Sequence, residues 1–352
     1  MKLGIIGAGG VARGIHVPGF KLQPSVEIAA VCDTNTDAAK SIGLGVVYHD
    51  YQDLLERPDI DAVVIATPNY THPEIAIAAF ESGKHVLCEK PLSLNHADAA
   101  SMLDAAAKSG KVHMTCFTYR YAPAVQYLRS LIQLGELGEI RTVRASYLMA
   151  LSTHLLGWRS EKQYAGSGVL ADIGSHLIHL VEMLAGDIAT LNAMDRRFRE
   201  DPFSDVEDWI SFLAEFENGA CGTFEISRVC AGRGAGVSED MFIEVYGSKG
   251  SGVFSLQDPW GLSLAIGEDG ADPARVLRRV DVPAAFLRVE GSNRDILGHD
   301  RRWGYRYDQA HEFVRNVERG VAASPSFEDG VRCQAVLDAA LVSARKRSWV
   351  NL

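Results

Sequence analysis

The chain has 352 residues and a net charge of −10, a length that points to two domains at about 150 residues each. Hydrophobic residues make up 47% and charged residues 23%, an ordinary globular balance, and the acidic charge excludes a surface built to neutralise nucleic-acid phosphates. No apolar run reads as long enough to span a bilayer, and the first strand leaves no room for a signal peptide before it.

The first third alternates short apolar strands with helices, the pattern of a parallel sheet covered on both faces. Strands are expected at 3–6, 27–32, 62–66, 85–88 and 112–115, with helices at 73–82 and 96–109 among the connections. Gly83 and Gly110 stand where those helices should stop. After Tyr121 the texture changes: a helix at 124–134 is followed by longer alternating segments at 141–149, 209–216, 220–227 and 241–246. Ile210, Phe212, Ala214 and Phe216 alternate with polar positions and precede a Glu217-Asn218-Gly219 turn, which reads as an antiparallel sheet with one buried face. Helical stretches at 307–318 and 329–346 close the chain. The expected architecture is α/β: a doubly wound parallel-sheet domain over 1–121, then an α+β domain over 122–352 with a large, mainly antiparallel open sheet. Cys32, Cys88, Cys116, Cys221, Cys230 and Cys333 include no C-x-x-C pair, so neither a disulfide framework nor a metal site is expected and the cytoplasm is the expected compartment.

Gly7-Ala8-Gly9-Gly10-Val11-Ala12 follows the first strand and opens a helix, fitting the G-x-G-x-x-A dinucleotide fingerprint. Gly7 would make the tight turn, Gly9 would admit a pyrophosphate to the backbone, and Ala12 would pack helix on strand. The helix N-terminus adds N–H donors for the phosphates. Asp33, at the end of the second strand, is placed to accept ribose hydroxyls, and Thr34-Asn35-Thr36 offers no arginine for a 2′-phosphate, so NAD is expected over NADP. Thr67-Pro68-Asn69 and Glu89-Lys90-Pro91 fall at later strand ends, on the carboxyl edge where ligands of such sheets sit. His72 follows the first of these, and as a residue type there it reads equally as a ligand contact or a helix-start residue.

The run Gly166-Ser167-Gly168-Val169-Leu170-Ala171-Asp172-Ile173-Gly174-Ser175-His176 leads a small-residue loop into an apolar helix. Asp172 and His176 are four apart and share a helix face, with His179 one turn on. On spacing alone Asp172 is either a helix-start acid or half of an acid–base pair, and His176 either a satisfied buried histidine or a proton acceptor.

Together these motifs resemble the glucose–fructose oxidoreductase / inositol dehydrogenase / MocA (Gfo/Idh/MocA) family. The likeness runs through Ala66-Thr67-Pro68-Asn69, His72, Glu89-Lys90-Pro91-Leu92, Tyr119-Arg120-Tyr121 and the run ending at His176. The tail Pro325-Ser326-Phe327-Glu328-Asp329-Gly330 is similar to that of levoglucosan-type sugar dehydrogenases within it. The resemblance implies a Rossmann domain, an NAD cofactor, a carbohydrate or polyol substrate and a homodimer or homotetramer joined through the open sheet's outer face. It implies Lys90, Asp172 and His176 as catalytic residues: Lys90 steadying charge on the reacting oxygen, His176 taking the hydroxyl proton, Asp172 orienting the sugar. Gly7, Gly9, Gly10, Val11, Ala12, Asp33, Thr67, Pro68, Asn69, His72, Glu89 and Lys90 would hold the cofactor. Tyr119, Arg120, Trp158, Arg159, His179 and Tyr305 would line the sugar site, whose choice of sugar falls to segments 152–164 and 292–307. The loop reads Gly-Ser-Gly where many relatives have three glycines, and histidine stands at 176 where some keto-sugar-reducing relatives carry tyrosine. An NAD-dependent glycosidase working through transient oxidation and a non-enzymatic dinucleotide sensor are the alternatives on this fold.

Overall fold

The computed structural model describes the whole chain except residues 152–155, 201, 203, 235–239, 267–275 and 299–302. It forms two compact units. The first carries six parallel strands, β1 (Lys2–Ile6), β2 (Glu27–Cys32), β3 (Val46–Tyr48), β4 (Ala62–Ile65), β5 (His85–Cys88) and β6 (His113–Thr115), in the order β3-β2-β1-β4-β5-β6. The order reverses at β1, the switch point at which doubly wound sheets bind ligands. Register sets the level of the loops: Ile6 pairs with Cys32 and Ile65, Ile65 with Cys88, and Cys88 with Thr115. Every strand therefore ends on one line, and Gly7, Asp33, Thr67 and Glu89-Lys90 emerge together along the carboxyl edge.

The first unit comprises Met1–Thr118 together with Val289–His299 and Arg306–Gln334. The physical reason is aromatic: Phe313, on the helix Asp308–Arg319, meets Phe20 edge-on at 6.3 Å, and Phe327 meets Phe80 at 5.7 Å. Thr115 Oγ1 donates to the Ser326 carbonyl at 2.8 Å and fastens the return segment to the end of β6.

The second unit, described by itself, holds a nine-stranded sheet. Its strands are β7 (Ile140–Leu148), β8 (Ile188–Arg196), β9 (Trp209–Phe216), β10 (Cys221–Ser227), β11 (Asp240–Gly247), β12 (Gly250–Ser255), β13 (Gly261–Ile266), β14 (Arg278–Asp281) and β15 (Val350–Asn351). The order is β14-β13-β12-β11-β7-β10-β9-β8-β15, and every pair is antiparallel except β7 with β10. Ile210, Phe212, Ala214 and Phe216 are buried as the alternation requires, with Phe212 stacked on Phe224 at 4.2 Å. By composition the stretch Lys162–Ala185 would be long and apolar enough to cross a membrane, contrary to the reading of the bare sequence; its apolar window is 83% buried inside the protein, as befits a core helix. The short β3 and the strands β8, β12, β13, β14 and β15 were not anticipated, because half-buried strands of mixed polarity carry a weak alternation signal.

Candidate active site

At the switch point the glycine turn is forced by contact. Gly7 has φ of +99°, and a Cβ there would lie 2.5 Å from the Ala66 carbonyl. A Cβ on Gly9 or Gly10 would meet nothing within 4 Å, so the backbone beyond the turn borders open space of the kind a pyrophosphate needs. Asp33 is held rather than loose: its Oδ2 accepts the Ala8 N–H at 2.7 Å and its Oδ1 the Asn35 N–H at 2.8 Å. Each oxygen keeps a further lone pair for a ribose hydroxyl. Val11 and Ala12 lead into a wide turn, Ala12–His16, in which the Val17 N–H reaches back five residues to the Ala12 carbonyl. These residues fit an NAD molecule: the glycines would border the pyrophosphate and Asp33 the adenosine ribose.

Further along the edge, Thr71 Oγ1 lies 2.7 Å from Thr67 Oγ1 and 2.8 Å from the Pro68 carbonyl, bracing the Thr67-Pro68-Asn69 turn. His72 lies between two strand-end segments. It is completely buried, with Nδ1 3.0 Å from the Pro91 carbonyl and Nε2 2.9 Å from that of Thr67. Burial pushes its pKa down against the pull of these carbonyls, and the ring lies between the Thr67 turn and the Lys90-Pro91 segment. Glu89 is likewise turned inward, its Oε1 2.8 Å from His16 Nε2. Burial alone would raise the Glu89 carboxyl, but the His16 hydrogen bond and the charges of His16, Lys90 and Arg306 bring it down to about 2. The contact ties the turn Ala12–His16 to the end of β5. Among the described residues His16, Glu89 and Cys116 offer three potential ligand atoms within 4.8 Å of one another. Burial holds the Cys116 thiol well above its ordinary pKa, so it stays protonated in a closed hydrogen-bonded cluster.

In the second unit the loop 166–169 runs into a turn, Leu170–Gly174, that is again wide, with the Ser175 N–H reaching the Leu170 carbonyl. The helix Ser175–Ala185 continues from it. Such five-residue bulges shift side chains around the helix axis and recur at functional sites. Asp172 lies in the bulge and His176 just beyond it. Asp172 is half-buried and its Oδ1 is 3.3 Å from Nε of Arg159, whose guanidinium lies over the Trp158 ring at 4.3 Å. A half-exposed ion pair of this kind contributes little stability, but it fixes where the carboxylate points. His176 is 5% exposed and packs at 4.5 Å against the edge-on ring of Tyr119. The serine of the loop has a use, since Ser167 Oγ accepts the Ala171 N–H at 3.1 Å.

The expected sugar-lining set divides. Trp158 and Arg159 are half-buried beside Asp172. Tyr119, Arg120, His179 and Tyr305 are at most 5% exposed. Tyr119 backs His176 and places its hydroxyl 3.2 Å from that of Tyr147, a wholly buried residue of β7. Of the two segments assigned to sugar choice, residues 152–155 and 299–302 lie outside the described residues. Sequence reasoning passed over His16, Tyr147 and Glu207. The signal for His16 was its place one turn past the fingerprint; Tyr147 and Glu207 meet the site only through tertiary contact.

Against known proteins, the model of the oxidoreductase family with NAD-binding Rossmann fold, GFO_IDH_MocA, matches residues 1–117, and that of the GFO/IDH/MocA C-terminal domain matches 125–253. Levoglucosan dehydrogenase of Pseudarthrobacter phenanthrenivorans is 34% identical over 345 residues, 90% of this chain and 86% of that one. Myo-inositol 2-dehydrogenase of Thermotoga maritima is 28% identical over 100% of this chain and 98% of its own. A solved levoglucosan dehydrogenase in complex with NADH and levoglucosan superposes with a TM-score of 0.89 at 32% identity, covering 100% of this chain and 99% of that one. The glycine turn with its open border, the fixed Asp33 and the Asp172–His176 helix are thus parts of a whole-length likeness, and the chain belongs to the GFO/IDH/MocA family of NAD-dependent oxidoreductases.

Proposed function

We propose that the chain oxidises a secondary hydroxyl of a sugar, anhydrosugar, glycoside or cyclitol to a ketone. Bound NAD supplies the hydride acceptor. The alcohol carbon gives up a hydride and its oxygen a proton, so each turnover yields one ketone, one NADH and one proton. His176 in its neutral form accepts that proton, since a sugar hydroxyl is far too weak an acid to lose it unaided near neutrality. Lys90 donates a hydrogen bond to the reacting oxygen and lowers the cost of its developing negative charge. Asp172, pointed by Arg159, accepts hydrogen bonds from substrate hydroxyls, and the Trp158 face suits the apolar side of a sugar ring.

The observation that carries this reading is the bulged helix start that holds Asp172 half-exposed against Arg159 with His176 one turn on. The names of the relatives, levoglucosan dehydrogenase and myo-inositol 2-dehydrogenase, support the substrate class. The outer face of the nine-stranded sheet, where Met194 and Leu213 are about half exposed, is assigned to self-association into dimers or tetramers. The cytoplasm is the compartment in keeping with six unpaired cysteines.

The test is a panel of levoglucosan, methyl glucosides and myo-inositol with NAD, followed at the nicotinamide absorbance and by product analysis. NADH accumulating equimolar with a keto-sugar is the expected outcome. Sugar cleaved with no net NADH would overturn the dehydrogenase reading in favour of a glycosidase.

A further inference from the structure

The loop before the Asp172 helix is gripped by one residue from a distant part of the chain. Glu207, just before β9, is 8% exposed. Its Oε1 accepts the Gly168 N–H at 2.7 Å and the Leu170 N–H at 3.1 Å. Its backbone carbonyl accepts the N–H between them, that of Val169, at 3.2 Å. Three successive loop amides therefore end on a single residue. The approach is so close that a Cβ on Gly168 would lie 2.2 Å from the Glu207 carbonyl oxygen, so only glycine fits. The clamp passes directly into the catalytic helix, because the Gly168 carbonyl in turn accepts the Asp172 N–H at 3.1 Å.

From this geometry we infer that Glu207 is a positioning residue for the reaction: it sets the loop 168–170 and through it the placement of Asp172 and His176. The inference rests on the assignment of His176 as proton acceptor. Free helix-start amides have several ways to be satisfied, by water or by a tightened turn. A buried carboxylate that collects two of them while its own carbonyl takes the third leaves one arrangement. A proton acceptor must sit within hydrogen-bond reach of the hydroxyl it serves, and displacement by about 1 Å can cost on the order of a hundredfold in rate.

Both side-chain bonds use the same oxygen, and that makes the inference specific. A glutamine carbonyl can accept both amides, whereas alanine accepts none and aspartate is one methylene short. With NAD and the best sugar of the panel, E207A and E207D should lose about ten- to a hundredfold in kcat, with NAD affinity by fluorescence unchanged. E207Q should restore kcat to within about threefold of the unsubstituted enzyme. H176A is measured alongside. If H176A keeps its turnover, the assignment of His176 fails; if H176A loses turnover while E207A keeps it, the positioning inference fails. Hydrogen exchange at the Gly168 and Leu170 amides of E207Q covers the case in which E207A does not fold. Amide protection and turnover retained together support the clamp, and protection lost with turnover intact, or turnover lost with protection intact, overturns it.

Discussion

We expect cofactor choice to turn on Asp33, and the geometry around it lets the effect be sized. The carboxylate cannot swing aside without giving up the Ala8 and Asn35 N–H groups at 2.7 and 2.8 Å. A 2′-phosphate on the adenosine ribose would therefore come within about 5 Å of a fixed negative charge. At an effective dielectric near ~60, suited to a half-exposed position, two unit charges at that distance repel by about 1 kcal/mol. A phosphate carrying about −1.5 to −2 raises this to roughly 1.5–2 kcal/mol. NADP also forfeits the ribose hydroxyl that Asp33 would accept. The electrostatic part alone predicts a preference for NAD of about ten- to thirtyfold in kcat/KM. The assay compares initial rates with both cofactors at low and high salt, for the natural chain and for D33S combined with T34R. The preference should shrink in the double variant, and in the natural chain it should weaken as salt screens the repulsion. Equal kcat/KM with NADP in the natural chain would refute the reasoning.

H176A and K90A should each lose about a hundredfold or more in turnover while NAD still binds, and near-normal turnover in either variant would mark that residue as structural. The oxidative kcat/KM should rise with pH as the His176 imidazole loses its proton, and the reverse reduction should fall over the same range; a rising limb that survives in H176A would exclude it as the acceptor. For stability, Glu89 is the group to watch, because its folded carboxyl lies at about 2, well below the ordinary value for glutamate. A depressed carboxyl contributes stability that is fully present above its unfolded pKa and is lost as pH falls toward the folded one. The urea-midpoint gap between the natural chain and E89Q should thus narrow between about pH 4.5 and pH 2, and a gap that stays constant would contradict the His16–Glu89 tie.

What the sequence discloses follows from which forces are local. The edge of the parallel sheet was legible because short apolar runs mark the strands, and parallel register then carries the strand ends to one level. Gly7, Asp33, Thr67 and Lys90 could be assembled without coordinates for that reason. The alternation over 209–216 likewise announced one buried face. The return of 306–334 to the first unit was not legible: a helix's periodicity says which face it buries and is silent on what it buries it against. Phe313 and Phe327 choose Phe20 and Phe80 only in three dimensions.

The surroundings of the expected sugar-lining residues were not legible in the sequence. Tyrosine, arginine and histidine usually keep a polar end in water. Tyr119, Arg120, His179 and Tyr305 are nonetheless buried, and for Tyr119 the partner that makes this tolerable, the Tyr147 hydroxyl, lies 28 residues away. Glu207 is 39 residues from the loop it grips, and nothing in its neighbours sets it apart from any acid before a strand. The trace it does leave is indirect, in the second glycine of Gly166-Ser167-Gly168. Serine at 167 shows that the loop does not demand glycine throughout; at 168 a side chain would strike the Glu207 carbonyl. Read alone, the loop looks like a flexible hinge, whereas its glycine is there so that another part of the backbone can come close enough to hold it still.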